Sequence, residues 1–581
     1  MRGIPVILTG LILAALPVTR VVAEEAPEHE VIEVRGISDV QDGTKVIPAE
    51  PDAEHGVWDA AQALPFVSLS LRSPAAVQQD LSLMGGTFEE SGVMFDGIEL
   101  GDPQTAHHDL DVALIPAETA YFELIPAGSG YGGGALAGAL DIGLKVPQGA
   151  SVSVWGGDFG FARAYGHYGT TSESEGVVAS VGGGYDYARS DGWRPGTDFE
   201  TISAAFSVET TGPGGTEFFR IGLSDKMFGA ADFYAPYPSE ERTNSEVVFM
   251  RHQSPAGAEV PCEFYAIVKR HEDLFILDRN NPGLSTAEHI SLVSAAGAKA
   301  RVDVATVTAE VRGENLDSSS LGDRNRTTGH IGLSFDYPEP GSGTGISGGL
   351  DITNGTPRYD AAARGKIELD DEGLLTATLV FAKTYRLPSM TELYYLTASN
   401  IGDPDLKEEH AEQVTVIAES RGMTATFFRR HADDLIDWIR FNPTDPWQAT
   451  NIGELTTTGA GLAYQTAWGK GLARFFAEYI TSDAGETPYQ SKYALRYVER
   501  RVGFTGTASI GGGFGLEYGI EALKRHGWSD TPVIADLFVV WHKNNVEVRA
   551  GGTNLFDEIY EDVPGADAPG RWLSAGMSYC W

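Results

Sequence analysis

Residues 81–111 of the chain read L-S-L-M-G-G-T-F-E-E-S-G-V-M-F-D-G-I-E-L-G-D-P-Q-T-A-H-H-D-L-D, and residues 121–145 read Y-F-E-L-I-P-A-G-S-G-Y-G-G-G-A-L-A-G-A-L-D-I-G-L-K. The unbroken apolar run Val93-Met94-Phe95 predicts a strand that is buried on both faces. The pair Asp96-Gly97 follows it and is typical of a tight hairpin turn. The stretch therefore predicts a small unit of short strands joined by turns.

This stretch, Leu81–Lys145, resembles the plug domain of TonB-dependent outer-membrane receptors, which are gated barrels that import scarce nutrients with energy from the inner membrane. A plug has no use without a large barrel around it and an energy-coupling segment before it, so the resemblance implies both. The fold class it implies is an all-β transmembrane barrel with a small α+β plug domain inside the lumen. The expected divisions are a signal peptide at 1–23, a periplasmic tail at 24–50, the plug at 51–148 and the barrel at 149–581.

Composition limits the classes of function. The chain has 581 residues, too many for one ordinary soluble core, and its 70 glycines and 10% aromatic residues favour a β-rich architecture. Its formal net charge of -39 argues against nucleic-acid binding, which needs a basic footprint. The acidic residues are interpreted as a solvated surface. Calcium binding to them stays open but cannot be localised, because no EF-hand spacing is present, and no other cofactor is predicted.

The N-terminus carries the one sustained apolar segment of the sequence. Arg2 gives a short positive region, Ile4–Val18 an apolar one, and Val21-Val22-Ala23 the small residues of a cleavage site, which together predict a secretory signal peptide. No later segment is apolar over the length that a transmembrane helix needs. A mature chain that spans a membrane must then do so as a closed barrel. The resemblance places that barrel in the outer membrane of a Gram-negative-type bacterium.

A short alternating segment stands alone in the acidic tail after the expected cleavage site. It resembles a TonB box, which adds its extended backbone to the edge of a sheet in its partner. The implied partner is TonB with its inner-membrane energising complex. The tail is too short for an extra signalling domain. The residues of the predicted box are Glu30, Val31, Ile32, Glu33, Val34, Arg35 and Gly36.

The glycines Gly128, Gly130 and Gly133 form a literal G-x-G-x-x-G. A dinucleotide site is rejected, because these glycines precede another Gly-Ala run instead of an amphipathic helix, and no βαβ unit surrounds them. Tight turns and close backbone packing inside a barrel lumen explain the cluster better.

Four other plug residues bear on metal binding and gating. His107 and His108 would point to opposite sides of an extended segment, so they are not expected to share a metal ion. They stand where the family commonly has T-G-H-H, which implies a loop-ordering role. Met84 and Pro126 stand where the resemblance leads us to expect arginines of a network that joins plug to barrel. We therefore expect this plug to be held differently.

The rest of the chain fits a barrel of 22 antiparallel strands. Residues 149–581 allow each of 22 strands roughly 20 residues with its connection, whereas a spanning strand needs about 9–11. Composition alone would also accept roughly 18 or 20 strands. Val546–Ala550 alternates apolar and charged residues after an Asn544-Asn545 turn. The final strand presents one apolar set, which resembles the signal read by the barrel assembly machinery: Leu573, Ala575, Met577, Tyr579 and Trp581.

Two motifs of the barrel refine the resemblance. Asn400–Leu406 reads N-I-G-D-P-D-L and Asn554–Asp557 reads N-L-F-D. Together with the plug they look closest to the cobalamin-receptor-like branch. That likeness implies a corrinoid such as cobalamin as the cargo, with ferric siderophores as the second choice.

The implied function is active import. Ligand binds the outer loops and the plug apex, TonB pulls on the released box, and the plug rearranges. No bond of the ligand is broken, so no enzyme activity is expected, and His271, Glu272 and Asp273 are interpreted as polar strand lining. A passive porin-like barrel, and a receptor that binds ligand without transporting it, are the alternatives.

The candidate ligand contacts are mostly aromatic side chains, which suit flat or macrocyclic ligands but also form interfacial girdles. A monomer embedded in outer-membrane lipid is expected, and pairing of Cys262 with Cys580 is left open. The candidates are Phe88 and His107 on the plug, with Phe233, Tyr234, Tyr237, Tyr394, Tyr395 and Trp447 on outer loops.

Overall fold

A computed structural model describes most of the chain, and its described residues belong to one unit, Val34–Trp581. The predicted signal peptide, the predicted TonB box and the G-x-G-x-x-G glycines lie outside the described residues. The described residues are 39–42, 45–47, 56–73, 77–127, 135–233, 236–255, 257–338, 343–370, 375–485, 487–563 and 565–581.

The first part of the chain forms the plug. Its strands are β1 (Asp39–Asp42), β2 (Lys45–Ile47), β3 (Val67–Ser73), β4 (Gln78–Leu83), β5 (Ser91–Phe95), β6 (Ile98–Glu99), β7 (Thr119–Pro126) and β8 (Gly138–Leu144). Six of them make one sheet in the order β1-β2-β7-β8-β5-β6, and β3 pairs with β4. Three short 3-10 helices complete the plug: Val57–Ala63, Ala106–His108 and Pro116–Glu118.

The predicted hairpin is present at the end of β5. Val93, Met94 and Phe95 are at most 2% exposed, so this strand is buried on both faces. Asp96 and Gly97 both have positive φ angles, 46° and 76°, as a two-residue turn into β6 requires.

The second part of the chain contains the barrel. Its strands are β9 (Gly149–Gly157), β10 (Ala162–Ser174), β11 (Val177–Ser190), β12 (Phe199–Gly212), β13 (Gly215–Gly229), β14 (Glu240–Gln253), β15 (Cys262–Ile276), β16 (Thr286–Val302), β17 (Ala305–Ser318), β18 (Arg324–Asp336), β19 (Gly345–Thr353), β20 (Thr356–Glu368), β21 (Leu375–Arg386), β22 (Asn400–Ile401), β23 (Glu409–Ser420), β24 (Met423–Asp433), β25 (Ile436–Arg440), β26 (Trp447–Asn451), β27 (Leu455–Trp468), β28 (Gly471–Asp483), β29 (Gln490–Ser491), β30 (Val498–Gly511), β31 (Phe514–Arg525), β32 (Val533–Lys543), β33 (Val546–Thr553), β34 (Glu561–Val563), β35 (Ala566–Asp567) and β36 (Trp572–Cys580).

Twenty-two of these strands close into one antiparallel barrel, which confirms the predicted strand number. Each strand pairs with the next one around the barrel, and β36 pairs with β9 to close it. The short strands β22, β25, β26 and β29 form a separate sheet within the loops, and β34 pairs with β35. One α-helix, α1 (Met390–Tyr394), lies in the loop after β21.

Side chains alternate across the barrel wall as the sequence predicted. In β33, Val548 is 36% exposed on the outside while Arg549 is 3% exposed on the inside. In β36, Met577 and Tyr579 are exposed and Trp572 is buried. Apolar side chains therefore cover the outer surface and polar ones face the lumen, which is the pattern of a barrel in lipid.

The two ends of the barrel differ in the length of their connections. At one end, two-residue turns such as Glu175-Gly176 and Arg421-Gly422 adopt positive φ angles. At the other end lie the long connections 387–408, 434–454 and 484–497. Cys262 and Cys580 are not joined by a disulfide. None of the helices within the described residues is long and apolar enough to cross a membrane.

Candidate functional site

The plug is acidic, and basic side chains of the barrel wall face it. Residues 51–148 contain just one arginine and one lysine, Arg72 and Lys145. Where an arginine or lysine joins the described parts of plug and wall in an ion pair, the wall supplies the cation. These pairs are Arg220–Glu118 (2.6 Å), Lys226–Asp111 (2.7 Å), Arg251–Asp96 (2.9 Å), Arg430–Glu90 (3.5 Å), Lys269–Asp102 (3.7 Å), Arg386–Glu89 (3.8 Å) and Arg312–Glu99 (3.9 Å).

Met84 shows how the plug is held without its expected arginine. Its side chain is fully buried in an apolar cluster that includes Phe66 and Phe428. Its carbonyl accepts a hydrogen bond from Arg430 Nη1 at 3.2 Å. The other terminal nitrogen of this wall arginine lies 3.5 Å from Glu90 Oε2. At Met84, a wall arginine, Arg430, thus stands in for the arginine that the resemblance led us to expect on the plug.

A pocket of about 130 Å³ lies between the plug and the long loops of the barrel. The plug forms its floor, the inner wall one side, and the loops its roof. Its lining includes Phe88, Thr105, His107 and His108 of the plug, Glu241, Asp273 and His289 of the wall, and Tyr395, Trp438, Lys492 and Tyr493 of the loops.

One half of the pocket is aromatic. Phe88 stacks on His107 with ring centroids 3.9 Å apart, and its ring meets Tyr493 edge-on at 5.0 Å. The ammonium of Lys492 lies 5.0 Å from the Tyr493 ring and 5.8 Å from the Trp438 ring. This half can hold a flat or apolar portion of a ligand.

The other half of the pocket consists of carboxylates and imidazoles. His108 Nε2 lies 3.6 Å from Asp273 Oδ2, and Gln104 Nε2 donates to the same oxygen at 3.2 Å. Glu241 on the neighbouring strand lines the same half. The residues His108, Asp273 and Glu241 are all at most 4% exposed. This half favours a cation or a hydrogen-bond donor.

The 3-10 helix Ala106–His108 separates the two histidines. Thr105 caps it, and the helical turn directs His107 Nδ1 to Asp80 Oδ1 at 2.7 Å. His108 Nδ1 instead faces Asp111 Oδ2 at 3.3 Å. The sequence led us to expect an extended segment here, which was wrong, but the two side chains diverge as expected.

The structure brings some of the predicted ligand contacts together and separates others. Phe88, His107 and Tyr395 line the pocket. The Trp447 ring lies beside it, 6.0 Å from the Lys492 ammonium. The remaining candidates lie elsewhere or cannot be placed: Tyr394 is under Arg324, Phe233 is buried in an apolar cluster with Phe228, Tyr237 is exposed on a loop, and Tyr234 lies outside the described residues.

Several pocket residues were not among the predicted contacts. Glu241 and His289 look like ordinary strand residues in the sequence, and Trp438 and Lys492 lie in two different loops. Asp273 belongs to the His271-Glu272-Asp273 segment that was interpreted as polar lining. His271 and Asp273 do face inward and are buried, so this signal was present in the sequence.

Residues 125–555 match the model of the family described as TonB dependent receptor-like, beta-barrel. The chain belongs to this family. Such receptors lie in the outer membrane of Gram-negative bacteria, bind a small-molecule ligand and work with TonB. In outer-membrane barrels the short turns face the periplasm and the longer loops face the outside, which puts the pocket on the outer side of the plug.

The receptor shares its fold with solved outer-membrane receptors. The copper transporter OprC is 14% identical, with a TM-score of 0.73, and the match covers 94% of this chain and 99% of that one. A mutant of the ferric enterobactin receptor PfeA of Pseudomonas aeruginosa, in complex with enterobactin, is 14% identical, with a TM-score of 0.71 and coverages of 91% and 97%. The siderophore receptor PirA of Pseudomonas aeruginosa is 16% identical, with a TM-score of 0.66 and coverages of 91% and 96%. A comparison with curated protein sequences gave no match.

Replacing Glu89 by glutamine is expected to flatten the dependence of the receptor's stability on pH. Burial raises the pKa of Glu89 to about 8, and the nearby Glu392 carboxylate adds to the rise while Arg386 opposes it. The folded state therefore holds an extra proton, and stability falls as pH rises from the ordinary value of 4.5 through about 8. Glutamine mimics the protonated form, so wild type and variant should agree near pH 4 and diverge above pH 8, with the variant more stable.

Urea unfolding of the detergent-solubilised receptor at a series of pH values measures this difference. The exposed residue Glu173 offers a matched control, since Glu173→Gln should leave the pH curve unchanged. Parallel curves for wild type and Glu89→Gln would contradict the prediction.

Proposed function

We propose that this receptor imports a small metal-containing nutrient by TonB-driven rearrangement of its plug. The observation that supports it is the pocket between plug and outer loops, because a ligand bound there contacts both the outside and the element that must move. The predicted box at 30–36 would supply the connection to TonB by β-augmentation. Import of this kind breaks no bond of the cargo, so no enzyme activity is proposed.

The chemistry of the pocket bears on the cargo. Its acidic residues are Glu241, Asp273 and Glu89, and Lys492 is the lysine that lines it among the described residues. Its volume of about 130 Å³ is below the roughly 300–1,000 Å³ of sites for drug-sized ligands. A corrinoid or a ferric siderophore would thus require the roof loops to move. A metal ion or a small metal complex fits the pocket as it stands.

Deletion of residues 30–36 is expected to abolish uptake by cells. The cells would be offered labelled zinc, cyanocobalamin, haem and a ferric siderophore in parallel. Accumulation of whichever probe the wild type imports should fall to the level of cells without the receptor, because the plug can no longer be pulled. A deletion of residues 24–28 in the same tail is the matched control and should retain uptake.

The same experiment decides between the alternatives. Uptake that survives deletion of 30–36 would indicate a passive porin-like barrel. Binding of a probe to the wild type, with no accumulation in TonB-positive cells, would indicate a receptor that does not transport.

A further inference from the structure

We infer that His108, Glu241 and Asp273 bind a divalent transition-metal cation at the floor of the pocket. This inference rests on the proposed function and deepens it by making that cation, bare or in a small complex, the cargo. One atom of each side chain can serve as a ligand, and these three atoms lie within 4.8 Å of one another. Zinc ligands at 2.0–2.2 Å in tetrahedral geometry would be about 3.4 Å apart, and His108 Nε2 already lies 3.6 Å from Asp273 Oδ2.

The orientation of the His108 ring suits metal ligation. Its Nδ1 lies 3.3 Å from Asp111 Oδ2, and Asp111 is in turn held by Lys226 at 2.7 Å. A metal-binding histidine commonly donates its second N–H to a carboxylate in this way, which fixes the tautomer and directs the other nitrogen to the metal. Here that other nitrogen is Nε2, on the side of Asp273 and Glu241.

Two buried oxygens at this place have no hydrogen-bond partner and would suit a cation. Within the described residues, Asp273 Oδ1 is buried and has no hydrogen-bond partner, and neither has Gln104 Oε1 on the plug side of the same pocket. The residues Asp273 and Gln104 are 4% and 5% exposed. A buried carboxylate oxygen without a partner is costly, and a bound cation would satisfy it.

The backbone explains why two wall carboxylates meet here. Thr243 of β14 is registered with Asp273 of β15, so Glu241 lies two positions away on the same inward face. Diagonal neighbours of this kind lie within reach of long side chains. The wall lysines Lys226 and Lys269 pair with Asp111 and Asp102, on the other side of His108 from Asp273 Oδ2.

The donor set selects the kind of metal. One imidazole and two carboxylates suit zinc, iron(II), manganese or nickel, whereas copper(I) prefers thiolate and thioether sulfur, and no Cys or Met is among the described residues that line the pocket. A position remains open for water or for a donor that the cargo brings. His108 belongs to the plug and the two carboxylates to the wall, so movement of the plug would separate the ligands and release the metal.

Zinc binding to the purified full-length receptor tests this inference. After removal of metals with a chelator, calorimetric titration with zinc at pH 7 should show one site. Asp273→Asn and Glu241→Gln, on different strands, should each weaken binding by at least about tenfold, since even the loss of an outer partner of a metal ligand costs about 10–100-fold. X-ray absorption at the zinc edge should show nitrogen and oxygen ligands near 2.0–2.1 Å and no sulfur.

Two control variants show whether a substitution elsewhere also changes zinc binding. Asp351→Asn alters another buried pair, His330–Asp351, elsewhere in the barrel, and His431→Gln alters an exposed cluster with Asp433 and Glu454. Both should bind zinc as the wild type does. Heat-modifiable migration on gels would show that every variant is folded.

Unchanged zinc affinity in folded Asp273→Asn and Glu241→Gln would overturn the inference. Loss of zinc binding in His431→Gln would overturn it too, and so would sulfur ligands in the X-ray absorption spectrum. The test of the metal site and the test of active import can give different results. Energy-dependent uptake of cyanocobalamin or a siderophore without zinc binding would overturn the metal site and leave active import standing. Zinc binding at this site with uptake that survives deletion of 30–36 would uphold the site and overturn active import.

Discussion

Replacement of Arg220 by methionine is expected to lower the free energy of unfolding by about 3–5 kcal/mol and to loosen the plug. Arg220 and Glu118 are at most 1% exposed, and the guanidinium meets the carboxylate through Nε (2.9 Å) and Nη2 (2.6 Å). Arg220 also donates to the carbonyl of Ala113 and lies over the ring of Phe95. Its loss leaves a buried carboxylate without its cation, which is the costly way to break such a pair.

Urea unfolding measures the loss, and limited trypsin digestion locates it, since Arg72 and Lys145 are tryptic sites within the plug. The double variant Arg220→Met/Glu118→Gln removes both charges and should regain most of the stability. Arg163→Met is the matched control, because Arg163 pairs with Asp186 between two barrel strands. In this variant the plug should resist trypsin as well as it does in the wild type. Wild-type stability of Arg220→Met would refute the prediction.

Replacement of Arg386 by methionine is expected to release the loop that roofs the pocket. Its guanidinium contacts Glu392 through two nitrogens, at 2.9 and 3.0 Å, and it also pairs with Glu409. Glu392 belongs to α1, where it completes a capping box with Ser389. The residue after this helix is Tyr395, which lines the pocket. Without Arg386, buried carboxylates would face one another, and this like-charge contact destabilises the closed loop.

Hydrogen exchange of the backbone amides in 389–395 measures the opening of this loop. A loss of about 3 kcal/mol corresponds to roughly a hundredfold faster exchange. Arg326→Met is the matched control, because Arg326 donates one hydrogen bond to Pro388 of the same loop at 2.7 Å. Its loss should change exchange by about tenfold or less. Equal exchange in wild type and Arg386→Met would show that the loop is held by other contacts.

Much of the fold followed from local sequence. Alternation in β33 and β36 predicted a barrel, and the length of the chain after the plug allowed roughly 18, 20 or 22 strands. The choice of 22, which is confirmed, also used the resemblance to plugged receptors. The turn at Asp96-Gly97 was predictable because two residues determine it. The turn depends on residues that are adjacent in the sequence. The alternation along a barrel strand arises because one face meets lipid and the other meets the lumen.

The site was predictable in part, because its residues meet through the closed barrel. Glu118 and Arg220 are separated by 102 positions, and Glu90 and Arg430 by 340. Lys492 and Trp438 reach the pocket from different loops, and no sequence spacing relates them to Phe88. Its aromatic type also led to the prediction that Phe233 contacts the ligand, but Phe233 packs in an apolar cluster instead.

The wall cations that pair with the plug also influence what an emptied lumen would conduct. When the plug moves away, its carboxylates leave with it, and Arg220, Lys226, Lys269 and Arg430 stay behind on the wall. Arginine and lysine that have lost their plug partners favour anions in the passage, whereas wall carboxylates such as Glu241 and Asp273 favour cations. In a planar bilayer, replacing these four cations by methionine in a receptor without its plug should therefore shift the reversal potential towards cation selectivity.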